Sequence, residues 1–100
     1  MSSTSAPLVS VVMPAYNVAW CIGHAVDSVL AQDYAARELI VVNDGSTDGT
    51  RPLLEAYGDA VTVIDQENRG MSAARNAGIR RSRGTYVAFL DADEIGRAHV

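Results

Sequence analysis

The chain is 100 residues long and 48% apolar, enough for one buried core and too short for a multidomain assembly. A net charge of −4 with 20% charged residues excludes both a disordered polyelectrolyte and a basic nucleic-acid module. All eight basic residues are arginine, so a phosphate loop of the GxxxxGK[ST] type and any Schiff-base lysine are excluded as well.

The initial MSSTSAP carries no cationic targeting region, and no apolar run approaches the roughly 20 residues that cross a bilayer. Residues 8 to 13, LVSVVM, are apolar and mostly β-branched and stop at Pro14, the pattern of a strand buried on both faces. After the loop Ala-Tyr-Asn-Val, the residues Ile22, Ala25, Val26, Val29 and Leu30 repeat at helical spacing, predicting a helix from Trp20 to Gln32. Cys21, the only cysteine, falls in that apolar pattern and reads as a packing thiol, and a reducing, cytoplasmic setting is expected. His24 and His99 read as solvent-exposed rather than as metal ligands.

Glu38 to Val42 predicts a second apolar strand. It ends in NDGSTDGT, a cluster of turn formers in which Ser46, Thr47 or Asp48 is placed to cap a helix holding Leu53, Leu54 and Tyr57. Gly58 closes that helix, Ala60 to Ile64 predicts a third strand, and ENRG leads into a helix from Met71 to Arg81. Gly84 ends it, and Thr85 to Leu90 predicts a fourth strand that runs straight into Asp91-Ala92-Asp93. Strands alternating with helices of crossover length predict an α/β fold, a Rossmann-like parallel sheet with flanking helices. Ligands of such sheets sit at the carboxyl ends of the strands, and here those ends carry PAYN, NDGSTD, DQENRG and DAD.

Asp91 and Asp93, one residue apart at a strand end, can share a hard cation such as Mg²⁺ or Mn²⁺ together with a diphosphate. Such an ion bridges phosphate oxygens and neutralises a leaving group, which suits a reaction that expels a nucleoside diphosphate. A solvated turn is the plainer reading of the pair. Asp44 holds the equivalent place after the second strand, as an acceptor for a base or ribose hydrogen bond, and Tyr16 can lay its ring against a nucleobase. Arg75 shares a helical stripe with Met71, Ala74 and Gly78 that should pack on the sheet, so its guanidinium must snorkel, pair or meet a ligand.

In this order and spacing, VSVVMPAYN, ELIVVNDGSTDGT, QENRGMSAARNAGI and GTYVAFLDADE resemble the donor-binding part of a family 2 glycosyltransferase with the GT-A fold, over residues 7 to 94. The resemblance implies that Pro14, Ala15, Tyr16 and Asn17 line the nucleotide pocket and that Asp44 accepts from the base. It further implies that Arg75 contacts the nucleotide, that Asp91 lies near the ribose or the metal, and that Asp93 binds the divalent ion. The implied reaction moves a sugar from a nucleotide-diphosphate sugar, with inversion, to a glycan, lipid or protein acceptor.

Family members continue past the DxD into segments that hold the acceptor site and an acidic general base. The base is therefore expected beyond Val100, the GT-A domain is expected to be incomplete, and the chain alone inactive. Any attachment to the inner face of a membrane would likewise reside in such further parts. The final residues Glu94 to Val100, EIGRAHV, depart from the family pattern and are the translation of GAGATCGGAAGAGCACACGTC, nearly all of it a common sequencing-library adapter. Residues 95 to 100 are accordingly expected to be a non-native tail. Two alternatives stand beside this reading. One is a nucleotide-binding fragment without activity, whose half sheet leaves an apolar edge uncovered. The other is an aspartyl-nucleophile phosphatase, for which DADEI would stand as DxDx[TV], although that motif belongs at a first strand and such sites employ a lysine.

Overall fold

The computed structural model describes residues 7–32 and 36–94. In chain order it contains β1 (Val9–Ala15), α1 (Ile22–Leu30), β2 (Arg37–Asp44), α2 (Thr50–Glu55), a single 3-10 turn at Gly58–Ala60, β3 (Thr62–Gln66), α3 (Met71–Arg81) and β4 (Tyr86–Phe89). The four strands pair in parallel in the order β3-β2-β1-β4. The chain steps outward from β1 to β2 to β3, then returns through α3 and lays β4 against the other side of β1. That reversal creates a topological switch point between β1 and β4.

Strand alternation divides the core into two layers. Val11, Met13, Leu39 and Val41 pack with Ile22, Ala25, Val26 and Val29 of α1, while Val12, Ile40 and Val42 pack with Ala74 of α3. Because both faces of β1 and β2 are covered, Val11–Met13 and Leu39–Val42 read as apolar runs without alternation. Burying each of these aliphatic side chains stabilises the fold by roughly 1.5–3 kcal/mol. The helix α3 lies very close to the sheet at Gly78, where a Cβ would come within 2.3 Å of Val12 Cγ1.

The third strand begins at Thr62 rather than Ala60 and runs to Gln66, because Gly58 opens the 3-10 turn that takes in Ala60 instead of closing a helix, and three further details differ from the sequence expectation. The first strand does not stop at Pro14: it continues to Ala15, and Pro14 pairs with Val42. Proline is tolerated because Val12, two residues earlier and facing the same way, still accepts from the Leu90 amide, whereas the β1–β4 register ends at Val12 and Phe89. The missing N–H thus faces the side where pairing has ceased. The second helix ends at Glu55, so Leu54 is buried, Leu53 is exposed and Tyr57 lies past the helix. Tyr57 packs on the core and donates to Asp27 Oδ1 at 2.8 Å, and burial together with that carboxylate pushes its pKa up to about 12. The residue capping α2 is Gly49, which has no side chain to bond; Asp48 accepts instead from the amide of Thr50 at 2.9 Å.

A polar pin fastens the amino-terminal end of the sheet. Ser10 is fully buried; its hydroxyl donates to Glu38 Oε2 at 2.5 Å and accepts from the Gly84 amide at 2.8 Å. Burial pushes the Glu38 pKa up, but the bonds from Ser10 and from the Arg83 amide, at 2.6 Å, outweigh it and leave the carboxyl below its ordinary value. At the edge of the described sheet all four residues of β4 are exposed. Among the described residues no helix is long and apolar enough to cross a membrane.

Candidate functional site

Beyond Val12 and Phe89 the chains of β1 and β4 part. The gap is a cleft of about 280 Å³, walled by Pro14, Tyr16 and Val18 after β1, by Met71 and Arg75 of α3, and by Asp91, Ala92 and Asp93 after β4. Open α/β sheets bind their ligands in this position, at the carboxyl ends of the strands flanking a switch point.

The intervening residue explains how two aspartates come to line one wall. Ala92 buries its methyl group in the α1-side core, and the Cys21 thiol reaches its carbonyl at 3.5 Å. With the middle residue held down, Asp91 and Asp93 both face the cleft. Cys21 is accordingly a buried packing thiol, and His24 is exposed, both as the sequence predicts; His99 and residues 95–100 lie outside the described residues.

Arg75 resolves its conflict by pairing. Ala74 and Gly78 take the sheet-facing positions of α3, and Arg75, turned to the helix edge, places Nη2 3.7 Å from Asp91 Oδ1. Both side chains are about two-fifths exposed, at 40% and 37%, so the pair adds only about 0–1 kcal/mol to stability. A pair this weakly held leaves the guanidinium available to an arriving anion. Tyr16 stands 41% exposed at the rim, with its ring accessible for stacking.

Three of the residues expected in the pocket do not line the cleft. Ala15 has the same strand parity as Met13 and points into the α1-side core, 1% exposed. Asn17 turns away to the loop after β2, where its Oδ1 accepts from the Thr47 amide at 2.7 Å and its Nδ2 donates to Thr47 Oγ1 at 3.3 Å. Asp44 is buried beneath the start of α3 and accepts from Gln66 Nε2 at 2.8 Å, the Arg69 amide at 2.9 Å and the Gly70 amide at 3.0 Å. Burial pushes its pKa up, and these three bonds overcome that and hold it below the ordinary carboxylate value. Gly45 reinforces the same junction: its φ of +75° is unfavourable for other residues, and a Cβ there would meet the Asn68 amide nitrogen at 2.7 Å. Position at a strand's carboxyl end was legible in the sequence, but the direction of each side chain depended on strand parity and on the partner loop.

Sequence reasoning also left out Val18 and Met71 as cleft walls and Thr50 as a loop acceptor. The alternation Ser46, Asp48, Thr50 was the available signal for the last of these.

The donor set suits a hard cation that is only partly held by protein. Asp91 and Asp93 offer carboxylate oxygens, and among the described residues no three His, Cys, Asp or Glu side chains come together as a metal cage. Mg²⁺-like ions are commonly bound by one or two carboxylates, with water and substrate phosphate completing the shell. The phosphatase alternative receives no support, since DADEI follows the edge strand β4 and not the first strand.

Comparison with known proteins agrees with this architecture. The family model "Glycosyl transferase family 2" matches residues 10–96. The chain is 44% identical over 89 residues to the uncharacterised glycosyltransferase RP339 of Rickettsia prowazekii, covering 89% of this chain and 28% of that protein. It is 46% identical over 91 residues to the uncharacterised glycosyltransferase EpsJ of Bacillus subtilis, covering 88% and 26% respectively. The chain therefore spans between a quarter and three tenths of the length of these curated relatives. Among solved structures, the mannosyltransferase PcManGT of Pyrobaculum calidifontis in complex with GDP-Man and Mn²⁺ superposes with a TM-score of 0.83 at 35% identity, over 90% of this chain and 28% of that one. TarS 1-349 of S. aureus in complex with UDP-GlcNAc superposes with a TM-score of 0.81 at 32% identity, over 86% and 26%. The parallel sheet with its flanking helices is the GT-A arrangement of these enzymes, and the chain belongs to glycosyl transferase family 2.

Proposed function

We propose that this chain is the donor-binding part of a metal-dependent glycosyltransferase, which moves a sugar from a nucleoside-diphosphate sugar to an acceptor with inversion. The observation that carries the reading is the meeting of an aromatic ring, a guanidinium and two carboxylates in one cleft at the switch point. Tyr16 stacks on the nucleobase over Pro14, Arg75 donates to the nucleotide, Asp91 serves the ribose or the metal, and Asp93 holds the cation. Neighbours solved with GDP-Man and Mn²⁺ and with UDP-GlcNAc support the class of donor and the divalent ion. Mg²⁺ or Mn²⁺, when bound, would neutralise the diphosphate leaving group. Asp44, held at the start of α3, accepts from the base, and Ala15 and Asn17 complete the nucleotide-binding segment at the carboxyl end of β1. The proton of the acceptor hydroxyl goes to a base outside this cleft.

The test is a titration of the protein with UDP, GDP and CDP in Mn²⁺, Mg²⁺ or EDTA, followed by calorimetry and by thermal melting. One nucleoside diphosphate is expected to bind in the presence of metal, and at 100 times its Kd to stabilise the fold by about 2.7 kcal/mol. Asp93→Ala should abolish the metal dependence. The proposal is wrong if no nucleoside diphosphate binds with metal, or if Asp93→Ala leaves metal-dependent binding intact.

A further inference from the structure

The backbone pairing of β1 with β2 ends at Ala15 and Asn43, yet the loop that follows β1 is held at three successive amides. Asn17 N–H donates to Ser46 Oγ at 3.0 Å, Val18 N–H to Thr50 Oγ1 at 3.0 Å, and Ala19 N–H to Asp48 Oδ2 at 3.1 Å. Ser46 and Asp48 of the loop after β2 and Thr50 at the start of α2 thus hold this segment by their side chains where the backbone ladder has ended. The Thr50 hydroxyl, which accepts from Val18, donates to Asp48 Oδ1 at 2.6 Å, and Asp48 Oδ1 also accepts the Thr50 amide. These bonds, with the Thr50 hydroxyl first, hold the Asp48 carboxyl below its ordinary pKa and so in its accepting form. Thr50 is fully buried, so water cannot replace its hydroxyl.

We infer that Ser46, Asp48 and Thr50 are positioning residues for donor binding, shaping through these three amides the loop that sets the Tyr16 ring in the wall of the cleft. None of the three lines the cleft itself. Tyr16 is fixed by its neighbours: Ala15 is anchored in the core, and Asn17 adopts the left-handed φ of +51° that asparagine tolerates, with Thr47 bonding its side chain from both ends. A ring held in place before the ligand arrives avoids the ordering cost that a loose loop would incur on binding. This inference rests on the donor-binding reading of the cleft.

Thr50→Val keeps the shape and removes the hydroxyl, leaving the buried Val18 amide without its acceptor, whereas Thr50→Ser restores it. Each variant is titrated, in Mn²⁺, with the nucleoside diphosphate that binds the parent protein, at a temperature where far-UV circular dichroism reports it folded. Thr50→Val is expected to raise Kd about tenfold. Thr50→Ser should return it to near the parent value. On a Tyr16→Ala background, Thr50→Val should add less than about twofold, because the order it removes belongs to that ring. A purely structural role would lower the melting temperature and leave Kd unchanged. That result, or a full tenfold loss on the Tyr16→Ala background, overturns the inference. Should Thr50→Val fail to fold, Ser46→Ala, which frees only the Asn17 amide, is read by the same criteria with an expected rise of about threefold. If neither Tyr16→Ala nor Arg75→Ala weakens the nucleotide, the donor-binding reading itself fails and this inference fails with it. Weakening by those two but not by the Thr50 or Ser46 variants refutes the positioning role alone.

Discussion

Gly78→Ala tests the closest approach in the fold. The added methyl would lie 2.3 Å from Val12 Cγ1, 3.1 Å from Cγ2 and 3.2 Å from Cβ. Van der Waals contact between carbons requires roughly 3.5–4.0 Å, so more than about 1 Å must be found. Val12 cannot supply it, being β-branched, fully buried and fixed in the central strand. The helix must therefore retreat. Overpacking of this kind costs about 1–3 kcal/mol, and alanine's advantage over glycine within a helix returns at most about 1 kcal/mol. With three atoms of a stiff side chain in collision, the upper part of the range applies, and the net loss should be about 1–2 kcal/mol. For a domain of this size that lowers the melting temperature by roughly 4–16 °C. The matched control is Gly23→Ala in α1, where a Cβ would meet only Tyr57 Oη, at an ordinary 3.8 Å. It should stabilise by about 0.4–1 kcal/mol. Circular dichroism melts of both variants decide the matter, and Val12→Ala should recover part of the loss on the Gly78→Ala background but not alone. A Gly78→Ala protein that melts at or above the parent would refute the packing argument. Because Arg75 lies one turn before Gly78, retreat of the helix should also weaken nucleotide binding.

Other expectations follow from the same geometry. Glu38, Asp44 and Asp48 all have pKa values lowered in the folded state, so their contribution to stability is present above the ordinary values of 4.5 and 3.8 and is lost as pH falls through the folded ones. The melting temperature should therefore drop as pH falls below about 4.5, and Glu38→Gln should flatten that drop while lowering stability at neutral pH. Gly84→Ala would bring a Cβ to 2.5 Å from Ser10 Oγ, 2.7 Å from the Ser10 amide nitrogen and 2.8 Å from the Leu8 carbonyl oxygen, and should destabilise more than Gly78→Ala, since two of the three obstacles are backbone. Asp44→Asn keeps one acceptor oxygen, so its NH2 must face either the Gly70 amide or the Arg69 amide with Gln66 Nε2, and the lost bonding should cost about 1–3 kcal/mol in a urea melt. Chelation with EDTA should abolish nucleotide binding while leaving the melting temperature of the unliganded protein unchanged; a fall in that temperature would point to a structural metal.

The elements were legible because periodicity records burial. The runs of β1 and β2 are apolar on both faces, and α1 carries its buried residues Ile22, Ala25, Val26 and Val29 on one stripe. The short α2 was overextended because Tyr57 completes a helical stripe in the sequence while in space it packs from beyond the helix end. Pro14 misled as a strand terminator because the rule against proline concerns a paired N–H, and whether that N–H is paired depends on where β4 ends.

The sequence by itself determined the parallel α/β sheet, the polar carboxyl ends of its strands and the family, since these depend on local pattern and on motifs in order. It also marked Tyr16, Arg75, Asp91 and Asp93 as chemical groups worth watching. Only the tertiary structure decided that those four share one cleft with Pro14, that Arg75 meets Asp91, and that Ala15, Asn17 and Asp44 lie outside its lining. The reason is that side-chain direction at a loop is set by partners distant in the chain. Asn17 is held by Thr47, 30 residues away, and Asp44 by an amide 26 residues on. No local pattern carries that information.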